Sequence, residues 1–144
     1  MFEKLDQLIE LHAATMKKLK EEGAEALKEV LREFFAKFPE ARAIRWRQYT
    51  PYFNDGDPCS FSVHEPFIQL ADSKTDAGDY EDGFESEWNL SKRMDGSELA
   101  EAFKTFSRTI QSDAVESVMA GVFGDGVVVT ATADKIDIDS YDHD

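Results

Sequence analysis

Helix-spaced and strand-spaced stretches succeed one another without interleaving, and this predicts an α+β fold: a small antiparallel sheet of two hairpins covered by helices on one face. Three observations carry the expectation. Apolar residues recur at intervals of three and four from Leu5 to Phe38, a period of two replaces them after Pro39, and helical spacing returns over residues 95–123 ahead of a β-rich run from Val127. The 144 residues, 42% hydrophobic and with eleven Phe, suit a single globular domain at 1–144.

The first segment, residues 1–38, is helical. Leu5, Leu8, Ile9, Met16, Leu19, Leu27, Val30, Leu31 and Phe34 lie along one stripe, which Phe38-Pro39 closes. Gly23 lowers helix propensity within it. One straight helix of this length spans about 55 Å at 1.5 Å per residue, more than a compact domain of this size, so a break near Gly23 is expected. His12, on or beside the stripe, is expected to pack.

Residues 43–71 predict a hairpin. Ile44, Trp46, Gln48 and Thr50 alternate with Ala43, Arg45, Arg47 and Tyr49; Asn54-Asp55-Gly56 supplies a reversal; Cys59, Phe61 and Val63 form the returning strand. Phe67–Leu70 resumes after Pro66, at a sheet edge where proline is tolerated. Residues 72–94 show no period and read as an acidic loop. Over 95–123, Asp95 or Ser97 caps a helix that turns Leu99, Ala102, Phe103 and Phe106 inward, and Ser112-Asp113 opens another that ends at Gly124. A C-terminal hairpin at 127–141 turns at Asp134-Lys135. Phe34, Phe38, Phe61, Phe103 and Phe106 are the expected aromatic core.

Charge is the feature that speaks to partners. Residues 1–50 hold ten Lys/Arg against nine Asp/Glu, whereas residues 51–144 hold six against twenty-one, for a net charge of −14 over the chain. Seven acids crowd Asp72–Glu87 around a single lysine. Such a field repels nucleic acid and anionic membrane and attracts basic surfaces. The leading expectation is a non-enzymatic binding or inhibitor protein that presents Asp79, Glu81, Asp82, Glu85 and Glu87, together with the Asp134–Asp144 tail, to a basic protein surface. Carboxylates in a row imitate phosphate spacing, so the partner site is one that normally receives nucleic acid. The alternative is a protein that sequesters a nucleotide signal, with Arg45, Trp46, Arg47 and Tyr49 supplying stacking and anion-binding groups. A structural or accessory domain is a third reading. Salt bridging to the acidic loop competes for the two arginines.

The block Trp46-Arg47-Gln48-Tyr49-Thr50-Pro51-Tyr52-Phe53-Asn54-Asp55-Gly56-Asp57-Pro58-Cys59 and the tail from Phe123-Gly124-Asp125 to Tyr141-Asp142-His143-Asp144 resemble a family of small acidic proteins of tailed bacteriophages and some bacteria. The resemblance covers under half the chain and brings no reaction and no catalytic residues with it. It implies a phage-type accessory protein.

No enzyme chemistry is legible. Asn54-Asp55-Gly56-Asp57 and Asp134 both lack the alternating oxygen ligands of a calcium loop. His12, His64 and His143 lie far apart with Cys59 as the single cysteine, so no metal site and no cofactor is expected. Cys59 and His64 are five residues apart, hence on opposite faces of a strand, which disfavours a nucleophilic pair. One cysteine admits no internal disulfide and points to a reducing, cytoplasmic setting. The charged first turn is unlike a signal peptide, and no apolar run is long enough to span a membrane.

Overall fold

The computed structural model describes residues 1–51, 59–73 and 83–141. The Tyr52–Pro58 part of the expected turn, the acids Asp79, Glu81 and Asp82, and Asp142–Asp144 lie outside the described residues. The fold is α+β, with four helices and a six-stranded antiparallel sheet among the described residues.

Helix α1 runs unbroken from Glu3 to Lys37, so the expected break at Gly23 does not occur. Two physical reasons account for it. The helix is not confined to the body of the domain: residues 1–22 are all exposed, and α1 overhangs. Gly23 marks a close crossing, because a Cβ there would stand 2.5 Å from Cγ1 of Val118 on helix α4 (Asp113–Phe123). The glycine trades helix propensity for approach. His12 lies on the overhanging part and is exposed rather than packed.

Strand β1 (Ala41–Tyr49) is the spine of the sheet. It pairs with β2 (Ser62–Val63), β3 (Phe67–Leu70) and β5 (Val127–Ala131); β4 (Glu85–Ser86) flanks β3 and β6 (Ile136–Ser140) flanks β5. The main path is β4-β3-β1-β5-β6. Strand β3 is therefore internal and not at an edge; Pro66 precedes its first residue, so no ladder hydrogen bond is lost. The returning strand is shorter than expected, with Cys59 exposed ahead of it. A bulge at Arg42 lets Ala41 pair with Leu70 while Ala43 pairs with Gln69. Without that extra residue Ala41 and Ala43 would share a face; with it, Ala41 joins the main core and Ala43 joins Phe67 and Phe84 in a small cluster behind the sheet.

The main core lies between one sheet face and the helices. Ile44, Trp46, Ile68 and Val129 meet Leu31, Phe34 and Phe35 of α1, Phe103, Phe106 and Ile110 of α3 (Glu98–Ile110), and Met119 and Phe123 of α4. Trp46 is fully buried, with its ring edge-on to Phe106 at 5.9 Å and to Phe123 at 5.8 Å. Phe34, Phe38, Phe103 and Phe106 are buried as expected, and Phe61 packs on the core half-exposed. Beside Trp46 sits a buried amide. The Gln48 side chain donates to the carbonyls of Met119 (2.9 Å) and Gly124 (2.7 Å) and accepts from the Trp46 indole (3.0 Å). It adds a donor to the Met119 carbonyl in the last turns of α4 and satisfies the Gly124 carbonyl beyond the helix end. Ser97 caps α3 as expected, its hydroxyl accepting from the Ala100 amide.

The expected loop 72–94 is partly regular: Glu85–Ser86 is strand β4 and Glu87–Arg93 is helix α2, capped by Ser86. Two residues of strand and seven of helix are too few to display a period, which is why the pattern is silent there. Among the described residues no helix is long and apolar enough to cross a membrane.

Candidate functional site

Alternation along β1 sorts the expected ligand residues onto two faces. Trp46 points into the helix-covered core and touches no surface, so it drops out of any ligand site. Arg45, Arg47 and Tyr49 emerge together on the opposite face, half-buried. Register carries that face across the sheet: Arg45 pairs with Thr130, which pairs with Asp137, and Arg47 pairs with Val128, which pairs with Asp139. At 4.7–4.9 Å between strands, the backbone of the edge strand lies about 10 Å from that of the central one.

Each cation on this face rests on a ring. The Arg45 guanidinium lies 4.4 Å from the centre of Phe84, with its Nε donating to Thr130 Oγ1 at 3.0 Å. The Arg47 guanidinium lies 4.8 Å from the centre of Tyr141. Tyr49 stacks on His64 with centroids 4.1 Å apart and meets Tyr141 at 5.4 Å. Stacking of this kind holds the planar groups in place. His64 and Tyr141 are members of this face that sequence reasoning missed. The parity of Tyr141 with Asp137 and Asp139 was the available signal.

The expected acidic site divides. Glu85 is 1% exposed. Its carboxylate accepts from Ser73 Oγ (2.6 Å), Asn89 Nδ2 (3.0 Å), and Arg93 Nε (2.9 Å) and Nη2 (2.8 Å). Arg93 also forks onto Asp72 at 3.0 and 3.1 Å. These carboxylates raise the Arg93 pKa, Glu85 contributing most, and the hydrogen bond from Arg93 holds the Asp72 carboxyl below its usual range. Glu85 is thus a structural anchor joining β3, β4 and α2, not a residue offered to a partner. Glu87 lies in the first turn of α2, half-buried. Asp125 is likewise engaged, accepting from the Thr50 amide and hydroxyl at 2.8 and 2.6 Å.

Strand β6 and the turn before it carry three acids at the surface. Asp134, Asp137 and Asp139 are exposed; Lys135 reaches Asp137 at 3.4 Å, and Lys28 and Arg32 of α1 line a cavity with Asp134. Strand β6 ends the sheet, and among the described residues nothing pairs with its outer edge. No cluster of three or more His, Cys, Asp or Glu side chains placed to hold a metal occurs among the described residues. No protein-family model, curated protein or solved structure matches the chain.

Proposed function

We propose that this chain is a non-enzymatic binding protein that captures a basic segment of a protein partner, with the acidic edge strand β6 as the described part of its capture surface. The observation that carries the reading is the alternation of exposed Asp137 and Asp139 along a strand whose outer edge has no partner among the described residues. An extended chain adding there takes main-chain hydrogen bonds from the edge, and its alternate side chains meet the two carboxylates. Like charges keep a second β6 away and admit lysine or arginine. The net charge of −14 steers such a partner from a distance. Asp79, Glu81, Asp82 and Glu87 belong to the same reading; Glu85 does not. The resemblance to acidic phage proteins suits an inhibitor that occupies a host site built for nucleic acid.

The test titrates a fluorescent peptide of alternating lysine and valine, and its glutamate-for-lysine counterpart, into the protein across a salt series. Binding of the lysine peptide alone, weakening with salt and falling about tenfold in Asp137→Asn/Asp139→Asn, supports the reading. Equal binding by the double variant removes β6 as the site.

A second reading rests on a separate observation, the grouping of Arg45, Arg47 and Tyr49 on the helix-free face. There the chain sequesters a phosphorylated small molecule such as a nucleotide. Thermal stabilisation by a nucleotide that persists at high salt and is lost in Arg45→Ala/Arg47→Ala favours it over protein capture.

A further inference from the structure

Strand β6 has a second face, and its chemistry is the opposite of the first. Register sets Ile136 beside Ala131 and Ile138 beside Val129, both members of the main core. The two isoleucines therefore point to the helix side of the sheet, while Asp137 and Asp139 point away from it. Ile138 is nevertheless 48% exposed. A cleft of about 580 Å³ opens there between β6, α1 and α4, with Ile136 and Ile138 across from Ala24, Val122 and Phe123. The charged groups of its lining are Lys17, Lys20 and Lys28, set against Glu21. The bases continue to the β5–β6 turn, where Lys28, Arg32 and Lys135 line a cavity of about 290 Å³ with Asp134. Glu25 reaches Lys28 at 3.7 Å and Asp137 reaches Lys135 at 3.4 Å, but pairs between such exposed groups offset little of the excess.

We infer that β6 selects a two-faced strand and rejects a uniformly basic one: its partner carries lysine or arginine at one parity and aliphatic side chains at the other. This selection presupposes the capture at β6 proposed above and specifies what stands between the partner's bases. A strand added at the outer edge lies 4.7–4.9 Å beyond β6, and its side chains alternate in step with those of β6. One parity comes up beside Asp137 and Asp139. The other comes down beside Ile136 and Ile138, over the cleft. Residues of one parity repeat about every 6.7 Å, so two successive aliphatic chains can enter it, and its volume lies within the roughly 300–1,000 Å³ of ligand pockets.

A lysine at the second parity meets different surroundings. Its ammonium would stand among Lys17, Lys20 and Lys28, with Glu21 as the acid of the lining to offset them. Like charges set side by side oppose binding and serve specificity by repulsion. The net charge of −14 by itself ranks an all-lysine strand above an alternating one. The cleft reverses that order.

The test is fluorescence anisotropy at about 150 mM salt, where the long-range field is screened within about 8 Å. Three labelled peptides of equal length are compared: alternating lysine and valine, alternating lysine and serine, and all lysine. The lysine–valine peptide should bind about tenfold more tightly than either of the others, a smaller margin than full burial of two valines allows. Ile138→Ser should abolish the preference for valine over serine and leave the lysine–serine peptide unchanged. Lys17→Gln/Lys20→Gln/Lys28→Gln should raise the affinity for all-lysine relative to lysine–valine about tenfold. Lys4→Gln/Lys92→Gln/Lys104→Gln changes the net charge equally and should leave that ratio within about twofold. If no peptide binds, capture at β6 fails and the selection fails with it. If lysine–valine binds but either other peptide binds as tightly, capture stands and the two-faced selection is wrong. Equal shifts of the ratio in the two triple variants would likewise overturn it, because the field and not the cleft would then set the order.

Discussion

Replacing Glu85 by alanine is expected to destabilise the domain by about 3 kcal/mol, which reverses what a solvated acidic loop would do. The carboxylate accepts four hydrogen bonds, two of them from Arg93, and is itself almost fully buried. Taken singly, hydrogen bonds to a charged group are worth about 1.5–3 kcal/mol, but they do not add here. The Arg93 side chain is 38% exposed and keeps Asp72, so it rehydrates when Glu85 is lost, and the loss falls at the low end of the 3–5 kcal/mol for breaking a buried pair. At this chain length that corresponds to a fall in Tm of about 9 °C. Urea unfolding followed by fluorescence of the buried Trp46 measures it. A double-mutant cycle with Arg93→Met should return a coupling of about 2 kcal/mol. A loss below about 1 kcal/mol for Glu85→Ala would refute the anchor and return Glu85 to the partner-facing acids.

Gly23→Ala adds a Cβ that meets Val118 and should destabilise despite an intrinsic helix gain of about 1 kcal/mol; Gly23→Ala/Val118→Ala should recover much of the loss in a thermal melt. Gln48→Leu strands the Gly124 carbonyl and the Trp46 indole and takes a second donor from the Met119 carbonyl, and should cost about 2–4 kcal/mol by urea unfolding while the sheet is kept. Phe103→Ala, fully buried, should cost about 3–5 kcal/mol, and half-exposed Phe61→Ala clearly less; equal losses would mean the two rings share one environment. Asp72 has its folded pKa lowered by Arg93, so its contribution is present above the ordinary value of 3.8 and disappears as pH falls through the folded value. Stability measured against pH should therefore show a shallower acid limb in Asp72→Asn.

Much of the fold was legible because it depends on local periodicity. The α+β class, α3 with its Ser97 cap, α4 ending at Gly124 and the β5–β6 hairpin all follow from patterns spanning enough residues to repeat. What escaped was set by partners distant in sequence. An isolated glycine reads as a break, and only the crossing of Val118, ninety-five positions away, turns it into a packing site. Strand β4 and helix α2 are held by Glu85, Arg93 and Asp72, whose pairing no spacing rule announces. Of the candidate site, the face shared by Arg45, Arg47 and Tyr49 was implied by alternation, and the same alternation excluded Trp46 once the helices had chosen their side. Composition determined the charge, and charge limits the partners, because a long-range field depends on the sum of charges. Which carboxylates remain available was decided by tertiary structure alone, because burial beside an arginine is a property of the packed neighbourhood and not of the residue.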